Sequence, residues 1–170
     1  NVLRSEMDKS IEATIKQVDD NFGSFFDKIG ASISFAAAGK NVIEAYYSEE
    51  AIDGMLAEFD KYIKSYPDVQ YIYTGLEDGR MLIYPYSELP KGYDPRSRGW
   101  YQSAKSNPDK LYWTEPYVDA LTGEYVITAS RAVKDEYGNT TGVTAADINL
   151  QKLTELLATV KIGDDGYSFS

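Results

Sequence analysis

Several hydrogen-bond donors and a fixed positive charge lie close together in the segment Tyr93–Tyr101. Arg98 carries a planar guanidinium group that can donate two parallel hydrogen bonds to a carboxylate. The Trp100 indole and the Tyr93 hydroxyl are further donors. Pro95 precedes a predicted short helix, and the backbone N–H groups at a helix start favour an anion. The segment therefore predicts a site for a carboxylate group.

An acidic residue interrupts an apolar strand near the end of the chain. Asp147 lies among small and apolar residues in the segment 142–148. A buried ionised carboxylate is unfavourable unless it is paired or hydrogen-bonded. Three roles fit: pairing with Arg131 on the preceding strand, capping the helix that follows (a role Asn149 could also take), or binding the ammonium group of a ligand. Spacing alone leaves these alternatives open.

A second acid ends the segment 113–119. Strand alternation would place four side chains of this segment on one face: Trp113, Glu115, Tyr117 and Asp119. Tyr117 and Asp119 would then be neighbours at a strand end, where loops gather. The structural alternative is that Asp119 begins the turn before Gly123.

Taken together, these groups suit a small zwitterion, with donors for an α-carboxylate at one end and two acids plus the Tyr117 hydroxyl for an α-ammonium at the other. The excess of acids also fits an amine or polyamine, and Arg98 and Trp100 would then be structural. An enzymatic alternative uses Glu115 and Asp119 as acid and base for glycoside hydrolysis, although the chain is short for a carbohydrate cleft. Selection among side chains would fall to nearby aromatic and apolar residues: Tyr71, Tyr73, Tyr84, Tyr86 and Leu121.

The composition removes several classes of function. The 170 residues include no cysteine and no histidine, which removes disulfides, thiolate nucleophiles, Ser-His-Asp catalysis and nearly all zinc sites. The formal net charge of −10 disfavours nucleic acid as a partner. Residues 164–166, Asp-Asp-Gly, lack the spacing of an EF-hand calcium loop. We therefore expect no catalytic residue, no metal site and no cofactor.

One long helix is predicted at the start of the chain. Apolar residues recur there in steps of three or four: Met7, Ile11, Ile15, Val18, Phe22, Phe25, Ile29 and Ile33. The helix should run from about residue 2 to about residue 38, roughly 50 Å. It would form either a spine of the domain or a surface that pairs with a second copy.

The remaining pattern predicts an α+β fold. A helix opens at Ser48, which caps it, and ends before Pro67. Strands are predicted over residues 69–76, 80–85, 111–119, 124–134 and 140–148, with a short helix over 97–106 and a closing helix over 150–160. Short turns between successive strands indicate an antiparallel sheet of about five strands.

The ends of the chain suggest a piece of a longer protein. The sequence begins inside a helical pattern and ends at Tyr167–Ser170, which resembles the start of another strand. No apolar run approaches the ~20 residues that span a bilayer.

Three segments together resemble one known family: Tyr93–Tyr101, Trp113–Asp119 and Gly142–Leu150. They are similar to the membrane-distal module of a double Cache (dCache) sensor domain, the extracytoplasmic part of bacterial methyl-accepting chemotaxis receptors and some sensor kinases. The resemblance covers nearly the whole chain. It implies a long N-terminal helix packed on a PAS-like antiparallel sheet.

The resemblance also implies a domain organisation. Residues 1–40 would form the spine helix, 41–163 the membrane-distal ligand-binding module and 164–170 the start of a membrane-proximal module. The parent protein would be anchored in the membrane with this part outside the cytoplasm, and a homodimer could form through the first helix. Ligand binding would close loop 86–96 and shift that helix.

The amino-acid-binding members of the family use six side chains that match this sequence. They are Tyr93, Arg98 and Trp100 for the ligand carboxylate, and Tyr117, Asp119 and Asp147 for the ammonium. The resemblance thus favours a ligand-binding role for Asp147. Gly99 departs from the proline that is common at its position, but this removes no contacting group. Other members bind carboxylates, purines or other small molecules, so the choice of ligand stays open.

Overall fold

The computed structural model describes residues 1–163. Helix α1 spans Val2–Ala37, and the Asn1 side chain caps it by accepting a hydrogen bond from the Leu3 amide at 3.1 Å. The predicted long helix is therefore confirmed. The predicted strand at Tyr167–Ser170 and the segment Asp164–Gly166 lie outside the described residues.

Two further helices complete the N-terminal third. Helix α2 spans Lys40–Glu44 and helix α3 spans Glu49–Ser65. The Ser48 hydroxyl accepts a hydrogen bond from the Ala51 amide at 3.2 Å, which confirms Ser48 as the cap of α3. Both α1 and α3 bury one face, and only the second half of α1 reaches the core.

The strands form one antiparallel sheet. They are β1 Tyr71–Leu76, β2 Met81–Tyr84, β3 Tyr112–Trp113, β4 Tyr117–Val118, β5 Tyr125–Lys134 and β6 Thr140–Asn149. Their order is β2-β1-β6-β5-β3, and β4 also pairs with β5. The sheet has six strands instead of about five because one predicted strand is divided.

The divided strand corrects a prediction. The segment 111–119 was expected to be continuous, but residues 114–116 separate β3 from β4. Pro116 has no amide hydrogen to donate to a ladder, which favours a break there. The strict alternation is therefore wrong: Trp113 packs against Phe26 of α1, with ring centroids 4.9 Å apart, whereas Tyr117 packs on the opposite face of the sheet.

The two faces of the sheet are covered differently. Helices α1, α2 and α3 cover one face, where Ile72, Ile127 and Ile148 join the main core. Helix α4, Gly99–Ser106, follows a 3-10 turn at Pro95–Ser97 and packs on the other face. Helix α5, Leu150–Gly163, closes the described chain. The sheet thereby separates a large apolar core from a smaller layer that contains the predicted ligand-binding residues.

Candidate ligand-binding site

The strand register positions the central acid, Asp147. Asp147 lies on β6 opposite Thr128 of β5 and Tyr71 of β1, and only 3% of it is exposed. The hydroxyls of Tyr73 and Thr128 both donate to its Oδ1 atom, at 2.6 and 2.7 Å. These bonds orient the carboxylate from the two strands that flank it.

The two structural alternatives for Asp147 are wrong. Arg131 lies opposite Thr144, and its guanidinium donates to the Ser34 hydroxyl at 3.1 Å and to the Asp109 carbonyl at 3.0 Å. The cap of α5 is Asn149, whose Oδ1 accepts from the Gln151 amide at 2.9 Å. The hydroxyls of Tyr73 and Thr128 are instead the partners that stabilise the buried carboxylate.

The surroundings of Asp147 favour its neutral form. Burial raises the pKa of this carboxyl to about 7, and the nearby Asp119 adds to the shift. Hydrogen bonds from Tyr73 and Thr128 and the charge of Arg98 oppose it. A carboxyl so poised would ionise readily if a cation approached it.

Asp119 begins the turn after β4, as the structural alternative predicts, and it also lines the cavity. Its Oδ1 accepts from the Leu121 amide at 3.3 Å and its Oδ2 from the Thr122 hydroxyl at 3.1 Å, and its carbonyl accepts from the Gly123 amide at 2.9 Å. It therefore organises the β4–β5 turn. The side chain is also buried against the cavity that Asp147 lines.

Arg98 sits where the 3-10 turn passes into α4. The Asp94 carboxylate caps the turn by accepting from the Arg96 amide at 2.9 Å. The half-buried Arg98 guanidinium carbon lies 5.6 Å from the centroid of the Tyr93 ring and 6.0 Å from that of Tyr117. These electron-rich rings attract the guanidinium group, and Arg98 lines the cavity.

The start of α4 is held tightly against the sheet. The Ser130 hydroxyl donates to the Trp100 carbonyl at 2.8 Å, and the Trp100 ring packs edge-on against Tyr73 with centroids 4.9 Å apart. Gly75 permits this approach, since a Cβ there would lie 2.7 Å from Pro95 and 3.0 Å from the Trp100 ring. The indole is 2% exposed.

The two tyrosines lie between the charged groups. Burial raises the pKa of the Tyr93 hydroxyl, and the charges of Asp147 and Asp119 raise it further. The hydrogen bond with the Trp100 indole and the charge of Arg98 lower it. Burial likewise raises the pKa of Tyr117, whose hydroxyl shares a 2.6 Å hydrogen bond with Thr128. Both hydroxyls therefore stay protonated at neutral pH, and that of Tyr93 can donate to a ligand.

One small cavity brings all these groups together. Its lining is Tyr73, Met81, Ile83, Leu89, Tyr93, Arg98, Trp100, Tyr117, Asp119, Ala120, Leu121 and Asp147. All six predicted residues are among them. The side chains leave about 10 Å³ between them, about enough for one water molecule. An amino acid is larger, so the cavity must widen to admit one.

Sequence reasoning missed part of this arrangement. Thr128 was not predicted, although a polar residue opposite a buried acid is a signal once strand register is known. Tyr73 and Leu121, predicted to contact the ligand side chain, both line the cavity, and Tyr73 also holds Asp147. Tyr84 instead donates to Asp60 of α3, and Tyr86 is 84% exposed.

A larger groove on the other face of the sheet lacks this chemistry. The groove between α1, α2 and α3 has a volume of about 580 Å³ and mostly apolar and aromatic walls. Its charged residues, Lys28, Glu58 and Lys61, are exposed and remain solvated. Because charges act most strongly where water is excluded, the small cavity is the better candidate for a polar ligand.

In residues 1–163 no cluster of three or more acidic, cysteine or histidine side chains could hold a metal ion. Within the same range no helix has the length and hydropathy needed to cross a bilayer.

Comparison with known families agrees with this geometry. Residues 39–155 match the model of the methyl-accepting chemotaxis protein-like family, first PDC sensor domain. The chain belongs to this family. The predicted resemblance to the sensor domains of chemotaxis receptors is thereby confirmed.

Solved PDC sensor domains share the fold. The ligand-binding domain of the Pseudomonas fluorescens chemoreceptor CtaA, in complex with L-serine, is 29% identical with a TM-score of 0.75, covering 89% of this chain and 63% of that one. The domain of the Pseudomonas aeruginosa receptor PctC, in complex with GABA, is 27% identical with a TM-score of 0.63, covering 88% and 63%.

Curated relatives of this PDC sensor domain are chemotaxis proteins. McpB of Bacillus subtilis is 32% identical over 169 residues, which is 96% of this chain and 25% of McpB. PscA of Pseudomonas syringae is 33% identical over 132 residues, which is 75% of this chain and 21% of PscA. The chain spans about a quarter of the length of such relatives.

Proposed function

We propose that this chain is the extracytoplasmic sensor domain of a transmembrane chemoreceptor and that it binds a free α-amino acid. The support is the meeting of opposite charges in one cavity. Arg98, half-buried, and the buried pair Asp119 and Asp147 line the same small space. A single zwitterion matches both ends.

The proposal assigns each group a role. Arg98 donates to the ligand carboxylate, with the Trp100 indole and Tyr93 hydroxyl as further donors. Asp147 and Asp119 accept from the ammonium group. The Tyr117 hydroxyl orients this end through its bond to Thr128. The family membership and the amino-acid complexes of CtaA support these roles.

The test is calorimetric titration of the purified chain with a panel of free amino acids. Binding of at least one of them, with a stoichiometry of one per chain, supports the proposal. If no α-amino acid binds while the domain is folded, the proposal is wrong.

A second candidate is an amine or another small molecule without an α-carboxylate. The observation that favours it is the charge of the cavity, where two acids face one guanidinium. The GABA complex of the related PctC is also a complex with a ligand that is not an α-amino acid. Competition between an amino acid and its decarboxylated amine separates the two candidates.

The signal would pass through α1. A ligand shifts a protein between two states only through contacts that differ between those states. Closure of the loop 86–96 over a ligand provides such contacts, and the sheet passes the movement on to α1. The chemotaxis proteins among the relatives support chemotaxis as the output.

We also propose that α1 pairs with the same helix of a second copy. The apolar residues in its first half are exposed although they follow a helical stripe: Val2, Leu3, Met7, Ile11 and Ile15. Near-heptad spacing of such a stripe is typical of helices that pair. The second half of the helix meanwhile stays packed on the sheet.

A further inference from the structure

We infer that the cavity selects α-amino acids with uncharged, aliphatic side chains. The inference rests on the proposed function, since it names which amino acids the same site accepts. It follows from the way in which the lining divides into a polar and an apolar part.

All charged groups of the cavity bind either the carboxylate or the ammonium group of the ligand. Arg98 is the cation of the lining, and Asp119 and Asp147 are its acids. The zwitterion itself engages these three. No further charge in the described lining can pair with a ligand side chain.

The cavity has two acids and one guanidinium, and both acids lie at the end that binds the ammonium group. Asp147 is oriented there by Tyr73 and Thr128, whose hydroxyls both donate to its Oδ1. Asp119 is oriented by the amide and hydroxyl of its own turn. Each acid is thereby held in a fixed orientation by groups of the protein itself.

The remaining wall is apolar and comes from three segments. Met81 and Ile83 are two residues apart on β2, so they project from the same face of the strand. Leu89 comes from the loop that follows. Ala120 and Leu121 come from the β4–β5 turn. A ligand side chain that extends away from the charged ends meets these five residues.

This apolar wall discriminates between ligands by the free energy of transferring their side chains out of water. A carboxylate or ammonium group of a ligand side chain would lose water without gaining a partner, which is strongly unfavourable. An aliphatic side chain exchanges water for apolar contact, which is favourable. The cavity must widen for either, and Met81 is suited to this because its unbranched side chain adapts to different shapes.

The first experiment compares affinities by calorimetry on the unmodified chain. Valine, leucine, isoleucine and methionine form one set, and aspartate, glutamate, lysine and arginine form the other. We expect the tightest aliphatic ligand to bind at least about tenfold more tightly than any charged one, the scale on which apolar pockets discriminate.

The second experiment changes the wall. Leu121→Ala and Met81→Ala should each lower the ratio of leucine to alanine affinity by about tenfold or more, since one or more methylene contacts are lost. The measured quantity is this ratio, so a change in affinity that leucine and alanine share does not alter it. Val118→Ala is the matched control, since Val118 is half-exposed on the adjacent strand and does not line the cavity.

The outcomes are distinguishable. If an acidic or basic amino acid binds most tightly, or if both wall variants keep the leucine-to-alanine ratio, the inference is overturned while the proposed function stands. If no α-amino acid binds, both are overturned. Preference for aliphatic ligands that falls in both wall variants and persists in Val118→Ala supports the inference.

Discussion

Thr128 and Asp147 lie directly opposite each other on β5 and β6, and the Thr128 hydroxyl donates to the Asp147 carboxylate at 2.7 Å. The Tyr117 hydroxyl bonds in turn to the Thr128 oxygen at 2.6 Å. Because Thr128 donates to the acid, the Tyr117 hydroxyl donates to Thr128. Asp147 and Tyr117, which both line the cavity, are therefore linked through a single residue.

Replacement of the buried acid tests the ammonium end. Asp147→Asn keeps the size and one acceptor oxygen for Tyr73 and Thr128 but replaces the other oxygen with a donor that repels an ammonium group. We expect amino-acid affinity to fall by about 2–5 kcal/mol, the usual effect of removing one partner of a buried charge pair. Calorimetry measures this.

The matched control is Asp109→Asn, which removes an acid whose side chain is 81% exposed. The affinity of Asp109→Asn for the amino acid should equal that of the unmodified chain. If Asp147→Asn binds the same amino acid as tightly as the unmodified chain, Asp147 does not hold the ammonium group.

The raised pKa of Asp147 predicts how stability depends on pH. The carboxyl titrates near 4 when unfolded and at about 7 when folded, so the folded protein binds the proton more tightly. Its contribution to the free energy of unfolding is fully present below about pH 4 and is lost as the pH rises to about 7. The loss is on the order of 4 kcal/mol for about three units of pKa.

Urea unfolding at several pH values measures this contribution. Acids whose pKa is lowered by ion pairs, such as Asp60 and Asp94, change stability in the opposite direction. The comparison is therefore between the unmodified chain and Asp147→Asn, in which those other contributions cancel. A difference between the two that is constant from pH 4 to pH 8 would contradict the raised pKa.

Loss of the guanidinium tests the carboxylate end. Arg98→Ala should weaken binding of an amino acid by about 2 kcal/mol or more, since a charge-assisted pair is lost. The affinity for the corresponding decarboxylated amine should not fall. Lys91→Ala, which removes an exposed positive charge from the same loop, serves as the control. An equal loss for amino acid and amine would show that Arg98 acts on the structure and not on the carboxylate.

Gly75→Ala tests whether the position of α4 matters. The new methyl group would meet Pro95 at 2.7 Å and Trp100 at 3.0 Å, so the helix start must move outward. We expect a loss of about 1–3 kcal/mol in the free energy of unfolding and weaker ligand binding. The control is Gly23→Ala, where a Cβ finds nothing within 4 Å and the helix should gain up to about 1 kcal/mol. If the folded Gly75→Ala variant binds the ligand as tightly as the unmodified chain, the position of α4 does not control ligand binding.

The exposed stripe of α1 predicts self-association. Sedimentation equilibrium should give a mass approaching twice 19.0 kDa as concentration rises. Ile11→Glu should shift the equilibrium to the monomer, because charges would face each other across the paired helices. Lys9→Glu, a charge change off the stripe, should leave association unchanged. A monomer at the highest soluble concentration would contradict pairing through this helix.

The sequence by itself determined the long helices, most of the strands and the residue types at the two ends of the site. Helical periodicity predicted α1, and Ser48 predicted the start of α3, because these signals are local. The order of helices and short-turned strands predicted an α+β fold. The motif residues around Arg98 and Asp147 were predicted by residue type and by the family resemblance, and all six line one cavity.

Only the tertiary structure decided which side chains meet. Two short strands replace one predicted strand, so Trp113 and Tyr117 face opposite sides of the sheet. The register of β5 and β6 places Thr128 opposite Asp147, and the Arg131 side chain donates to Ser34 instead. These contacts join residues far apart in the chain, and such pairing depends on how strands align and not on any local pattern.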